Sequence, residues 1–363
     1  MNNQSQFEPY LYAVSPPGLE QVTAKELKAL GARRIKVQQG GVTFGYSHAM
    51  LARANIWLRS ASRVLKIIAE QEVRTFPQLI HLTESLDWKA YLSSDRPINV
   101  QVSTQKSRLY HSDAVKERIE GVLGARSGTE DEQGIWVRIV RDKMTVSVDT
   151  SGELLHRRGY RQAVTKAPIR ENVAAALLMA CRWDMDSPLI DPMCGSGTFA
   201  IEAAWIAQGR APGLLRTFAF EKWPLTEMKL VRRIRAEAEE EAVAELPTII
   251  GCDIDGDALS AAEQNAERAG VELQWAQLDA RDLPRPEGPT GLVIANPPYG
   301  KRLRGTRAPV LFQQLHSRFE DWRVVYLHAG RSAPAGGFKP LLSFKNGGIN
   351  VSLMTSPRPP RKR

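Results

Sequence analysis

A chain of 363 residues, 43% hydrophobic and 25% charged, has the composition of a folded soluble protein with room for two or three domains, which excludes a disordered polymer. Its net charge of +9 is unevenly held: residues 1 to 170 carry 25 Lys+Arg against 17 Asp+Glu, and residues 171 to 363 carry 24 against 23, so the front half is the expected polyanion-binding part. Three separated cysteines (Cys181, Cys194, Cys252), scattered histidines, no apolar run longer than Val173 to Cys181 and no signal in MNNQSQFEPY together predict no disulfide, no metal site, no membrane span and a cytoplasmic protein.

The first 160 residues mix short strand-like runs (LYAVSP, GGVTFGY, PINVQVSTQ, GIWVRIVRD, KMTVSVDT) with helix-like stretches. The helical stretches are LEQVTAKELKALGA, HAMLARANIWLRSASRVLKII and DAVKERIEGVLGA, and in the last Val115, Ile119 and Val122 recur at helical spacing. This pattern predicts an α+β region. From about residue 165 strands and helices alternate: PLIDPMC before TFAIEAAWIAQ, TIIGCDID before DALSAAEQNAERAG, then ELQWAQLDA, GLVIANPPY and WRVVYLHAG, with VLFQQLHSRFEDW before the last. Alternation of that kind predicts a parallel sheet with crossover helices, whose ligands sit at the carboxyl ends of the strands. An insertion, roughly residues 209 to 246, ends in a long charged helix expected to be a packing element with a solvated face. The terminal PRPPRKR reads as a disordered basic tail.

DPMCGSGTF, residues 191 to 199, follows a buried strand and opens a helix. Gly195 and Gly197 let the backbone turn and approach a ligand, and Asp191, Met193, Cys194, Ser196 and Thr198 complete the loop. The third glycine of a dinucleotide fingerprint and the Lys of a P-loop are both missing. Asp253 ends the next strand, placed for ribose hydroxyls, and Asp279 ends the one after, placed for an adenine amino group. Asp255 reads better as a helix N-cap. Acidic strand ends suit an adenosine whose ribose bears no phosphate, as in S-adenosylmethionine.

The stretch VIANPPYG, residues 293 to 300, ends a buried strand on an amide. Asn296 through its side-chain oxygen, and Pro297 through its carbonyl, can accept both hydrogens of a planar amine and aim its nitrogen at an electrophilic methyl. Pro297 and Pro298 stiffen the loop, and Tyr299 can stack on a flat base. Catalysis would rest on orientation alone. No cysteine is placed as a nucleophile, which favours an amino nitrogen over a pyrimidine carbon.

DPMCGSGTF with NPPYG resembles the class I S-adenosylmethionine-dependent amino-methyltransferases. LHRRGYR (155 to 161), KAPIRENVAAALL (166 to 178), RAPGL (210 to 214) and QGGVTF (39 to 44) are similar to the THUMP-domain RNA guanine-N2 methyltransferases, the group of the RlmL N-terminal half and of TrmN. The resemblance implies a ferredoxin-like subdomain at 1–55, a THUMP domain at 56–160 and a Rossmann-like α/β methyltransferase domain at 165–363. It further implies methyl transfer to the 2-amino group of a guanosine in structured RNA, ribosomal RNA ahead of transfer RNA. Arg157, Arg158, Arg161, Arg170 and Tyr299 would face that substrate. Where the family would carry serine before Asp253, this sequence has Cys252. Other targets for the same motif are adenine in DNA or a protein glutamine, and a further class is a non-catalytic RNA-binding protein.

Overall fold

Strand β1 (Tyr10–Val14) alternates half-buried and buried residues, as a strand does when one face lies on a core. It is followed by α1 (Glu20–Ala29), β2 (Lys36–Gln38), β3 (Gly41–Gly45), α2 (His48–Trp57) and β4 (Arg63–Glu72), then α3 (Phe76–Glu84), β5 (Ile98–Gln105), α4 (Ser112–Leu123), β6 (Gln133–Val140) and β7 (Lys143–Asp149). The computed structural model describes residues 7–93, 96–124, 131–163, 168–243, 245–286, 288–298, 308–329 and 337–357. These first seven strands form one sheet in the order β2-β3-β1-β4-β7-β6-β5, antiparallel throughout except for the parallel pair β5–β6. Order β2-β3-β1-β4 with two helices is a ferredoxin-like arrangement, and β4 carries the sheet on into the following strands.

The expected helix through RVLKII is corrected here. Helix α2 stops at Trp57, and Arg63–Glu72 is the central strand of the sheet. Val64 to Ala69 are buried on both faces, so the run has neither the alternation of a half-exposed strand nor a helical stripe to separate it from α2. Val115 and Ile119 do face the core from α4.

The second half contains α5 (Glu171–Cys181), β8 (Leu189–Asp191), α6 (Thr198–Ala207), α7 (Met228–Glu240), β9 (Ile249–Asp253), α8 (Gly256–Ala269), β10 (Gln274–Gln277) and β11 (Leu292–Ala295). It ends with α9 (Ala308–Arg318), β12 (Arg323–His328), β13 (Lys339–Asn346) and β14 (Ile349–Thr355). Their sheet runs β10-β9-β8-β11-β12-β14-β13, with β8 to β12 parallel and β14 antiparallel to both neighbours. One face buries Leu177, Phe199, Trp205 and Ile294, the other Ile190, Val293, Phe312 and Tyr326. The expected Rossmann-like sheet is present, closed by the hairpin β13–β14.

Chain order and packing diverge at two places. Residues Pro16–Thr23 fold with the second compact unit, where Leu19 is fully buried in its core and the amide of Lys345 donates to the Pro17 carbonyl. Arg216–Glu237, from the middle of the expected insertion, folds with the first unit. There the Arg216 guanidinium donates to the carbonyls of Ser151, Glu153 and Leu154, and the Trp223 indole N–H donates to Gln133. Helix α7 buries Val231 and Ile234 and leaves Arg232 and Arg233 in solvent, the packing element its charge pattern implied.

Candidate active site

Strands β9 and β11 leave β8 on opposite sides, so the chain reverses its winding direction at β8. The crevice outside the carboxyl ends of β8 and β11 is therefore the topological switch point, where such sheets bind ligands. Asp191 closes β8, Asp253 closes β9, and Asn296 follows the last residue of β11.

The loop after β8 is held tightly. The Met193 amide donates to Asp191 Oδ1 (3.1 Å), the Cys194 amide to the Cys252 carbonyl (2.8 Å), and the Gly195 amide to Asp253 Oδ2 (2.9 Å). Gly195 and Gly197 have φ of +54° and +81°, the left-handed region that glycine reaches without steric cost. A Cβ on Gly197 would lie 2.9 Å from the Trp275 ring and 3.1 Å from Ala262 Cβ, and one on Gly251 would collide with the same ring. Trp275 thus packs over two glycines at once, a role its place in QWAQLD did not reveal.

Asn265 was also missed. It is fully buried on α8, accepting from the amides of Gln162 and Ala163 and donating to the carbonyls of Ala163 and Ser196. That side chain ties the segment after LHRRGYR to the glycine loop. An asparagine within the buried stripe Ala258, Ala262, Ala266, Ala269 was the available signal.

Burial, with the neighbouring Asp253 carboxylate, pushes Asp191 up to about 8. Asp191 is therefore largely protonated near neutral pH, and a positive charge brought beside it would favour its ionised form. The loop also offers backbone turns free of side chains. Acidic acceptors and glycine turns fit an adenosine ligand such as S-adenosylmethionine. Met193 is half-buried, while Cys194, Ser196 and Thr198 are buried, and the Ser196 hydroxyl has no partner among the described residues. Burial pushes Cys181 and Cys252 up to about 12 and Cys194 higher still, so none is a ready thiolate.

Asn296 Oδ1 is buried and has no hydrogen-bond partner among the described residues. An unsatisfied buried amide oxygen costs stability unless a ligand supplies the donor. Pro297 is buried and Pro298 exposed; Tyr299 lies outside the described residues, as do Lys166 and Ala167 of KAPIRE and the residues of PRPPRKR beyond Pro357.

Other expected side chains fall differently. Asp255 caps α8 by accepting from the Asp257 amide, as expected. Asp279 caps the short turn Ala280–Asp282, and both of its oxygens accept from Arg281, so as placed it faces a guanidinium and not an open pocket. Arg158 is 1% exposed and ion-paired with Glu202, so its expected contact with substrate is corrected to a place in the core. Arg161 pairs with Glu171 and donates to the Ile169 carbonyl, whereas Arg157 and Arg170 are exposed.

The strand order and the loop after β8 define a class I methyltransferase, the class whose cofactor is S-adenosylmethionine. Residues 158–335 match the family described as RMKL-like, methyltransferase domain, and residues 10–65 match the RlmL ferredoxin-like domain. The chain is 35% identical over 336 residues, 87% of both chains, to the Bacillus subtilis (strain 168) protein named "Putative RNA methyltransferase YpsC". It belongs to the RMKL-like methyltransferase family. A solved Listeria monocytogenes structure described as "a predicted N6-adenine-specific DNA methylase" is 35% identical with a TM-score of 0.85, covering 98% of this chain and 99% of that one. A solved structure described as "SMU.472, a putative methyltransferase complexed with SAH" is 31% identical with a TM-score of 0.84, covering 98% of this chain and 100% of that one. TrmN from Thermus thermophilus, 20% identical, shares the fold with a TM-score of 0.73 over 96% and 99%. Among the described residues no helix is long and apolar enough to cross a membrane, and no group of three or more His, Cys, Asp or Glu could hold a metal.

Proposed function

We propose that this methyltransferase acts on RNA and methylates the 2-amino group of a guanosine, in ribosomal RNA. The observation that carries the reading is the buried Oδ1 of Asn296 at the switch point, which has no hydrogen-bond partner among the described residues. It supplies an acceptor for an amine hydrogen, and the Pro297 carbonyl supplies a second. Held by both, a planar NH2 group turns its nitrogen towards the crevice lined by Asp191 and Gly195.

S-adenosylmethionine, when bound, supplies an electrophilic methyl on a sulfonium. Asp253 would hold the ribose hydroxyls, and the loop from Asp191 to Thr198 would cradle the rest. The methylated nitrogen, left with an extra positive charge, would then lose one hydrogen as a proton to solvent. Guanine's 2-amino group has to leave its stack to reach this crevice, and Tyr299 would stack on the extruded base. The basic first unit, with residues 56–160 as a THUMP domain, would hold the RNA through its phosphates, and Arg157 and Arg170 would add contacts nearer the site. An RNA target is supported by the name of the Bacillus subtilis relative, guanine and the 2-amino position by the motif resemblance.

The test is to incubate the protein with S-adenosylmethionine and ribosomal or transfer RNA from a strain lacking the enzyme, then digest to nucleosides for mass spectrometry. N2-methylguanosine from ribosomal RNA is expected. The same nucleoside from transfer RNA alone would move the target to transfer RNA. Methyl on the adenine 6-amino group, on DNA or on a protein glutamine would reject the reading.

A further inference from the structure

Lys66 stands on the covered side of the first unit's sheet. Strand register sets it opposite Leu11 on β1 and Val148 on β7, both fully buried, so the three side chains share the core face. It is only 7% exposed. Three rings surround its ammonium, with Nζ 3.8 Å from the Tyr46 ring centroid, 4.9 Å from that of Tyr91 and 5.9 Å from that of Trp223. Aromatic faces attract a cation, yet they do not replace the oxygen acceptors that an ammonium has in water. Lys66 has no hydrogen bond and no ion pair among the described residues.

The ammonium borders a cavity of about 90 Å³. That is room for about three waters, or for an acid of about four carbons, at about 30 Å³ per water. Beyond the three rings the lining is mostly apolar, with Phe220, Leu225, Leu230 and Val231. Glu227, the one carboxylate of the lining among the described residues, is already engaged, its Oε1 3.2 Å from His48 Nδ1. The walls are set before anything binds. Trp223 donates its indole N–H to Gln133 (2.8 Å) and meets Tyr91 edge-on, with ring centroids 5.0 Å apart. Burial pushes the Lys66 amine down to about 8, and an anion beside it would favour the charged form.

We propose that this cavity binds a small organic monocarboxylate, its carboxylate on the Lys66 ammonium and its chain against Leu230 and Val231. Every lining residue belongs to the first unit, whereas Asp191, Asp253 and Asn296 belong to the second, so the inference does not depend on the reading of the methyl-transfer site. A carboxylate supplies the acceptors that the rings lack, and a buried charge with a partner costs less than one without. Inorganic phosphate has no apolar part to lay on those walls.

The test uses the full chain and butyrate as the probe, titrated by calorimetry near neutral pH, with butyramide and inorganic phosphate as controls. Butyrate should bind with a dissociation constant of about a millimolar or tighter, and both controls about tenfold or more weaker. Bound butyrate should also shield Lys66 from acetic anhydride, read by mass spectrometry of the Lys66 peptide, a measurement that needs no variant. Lys66→Met, which keeps the length and removes the charge, should weaken butyrate binding about tenfold or more while retaining a cooperative thermal transition. Butyramide binding as tightly as butyrate would overturn the proposal, because charge would then play no part. Equal binding of phosphate would overturn it too, as would an unshielded Lys66 at high butyrate or parent-like affinity in Lys66→Met. Displacement of butyrate by an unstructured oligoribonucleotide would assign the cavity to RNA and likewise overturn it.

Discussion

Asp253 does two jobs with one carboxylate. Its Oδ2 accepts the Gly195 amide and its Oδ1 accepts the Asp255 amide, so both strand ends depend on it even before a ribose arrives. Asp253→Ala should weaken S-adenosylmethionine binding by about 1–3 kcal/mol, measured calorimetrically, and Asp253→Asn, which keeps one acceptor oxygen, should lose less. Equal losses would mean that charge, and not hydrogen bonding, is what the ligand requires. Glu171 offers a test by pH. Burial pushes its carboxyl up to about 7 despite the Arg161 partner, so in the folded protein it stays protonated where an unfolded chain has already ionised. A raised folded value means stability present below about pH 4.5 and lost as pH rises through about 7. Glu171→Gln should gain, relative to the parent, about 3 kcal/mol of stability between those limits. Urea unfolding of both proteins at each pH reads it, and parallel curves would contradict it. At this scale the sequence exposed the residues with unusual chemistry. It concealed Arg158, because an arginine in LHRRGYR looks the same whether it meets phosphate or a buried Glu202.

Elements divide by whether their packing leaves a periodic trace. Strands β8, β9 and β11 are short apolar runs punctuated by Asp or Asn-Pro, and they were legible because their ends are chemically marked. β4 was not, since burial on both sides erases alternation, and the hairpin β13–β14 was not, since KPLLSFKN exposes most of its residues. The contact between β9 and β10 shows what the motif reading could not. Gly251 is required because the Trp275 indole occupies the space a side chain would need. Gly251→Ala should destabilise the fold by about 1–3 kcal/mol through that overpacking. Trp275→Leu, which clears the space, should recover part of the loss in the double variant. Additive effects of the two substitutions in chemical denaturation would show that the ring does not set the constraint.

For the whole molecule, the exchange of segments matters more than the boundary near residue 160. A cut there removes Pro16–Thr23, with fully buried Leu19, from the second unit and separates Arg216–Glu237 from the strands it binds. A fragment of residues 165–363 should therefore unfold at lower temperature than the full chain and bind apolar dyes. Cooperative unfolding at the parent temperature would contradict the exchange. No local pattern announces such an exchange, because Leu19 and Trp223 look equally apolar whichever core they join. The charge surplus of the front half was plain in the sequence, but the strand register that gathers Tyr10, Trp136 and Arg138 on one face was not.

The central claim is that a buried amide oxygen with no partner among the described residues orients an amine for methyl transfer. Asn296→Ala removes that oxygen and leaves Asp191, Gly195 and Asp253 in place. The decisive measurement is single-turnover methylation of the RNA substrate by this variant, alongside its affinity for S-adenosylmethionine. The expected result is a rate lower by at least about a hundredfold with cofactor affinity nearly unchanged. A variant that transfers methyl at the parent rate would contradict the claim, as would one whose slow transfer is restored by raising the cofactor concentration.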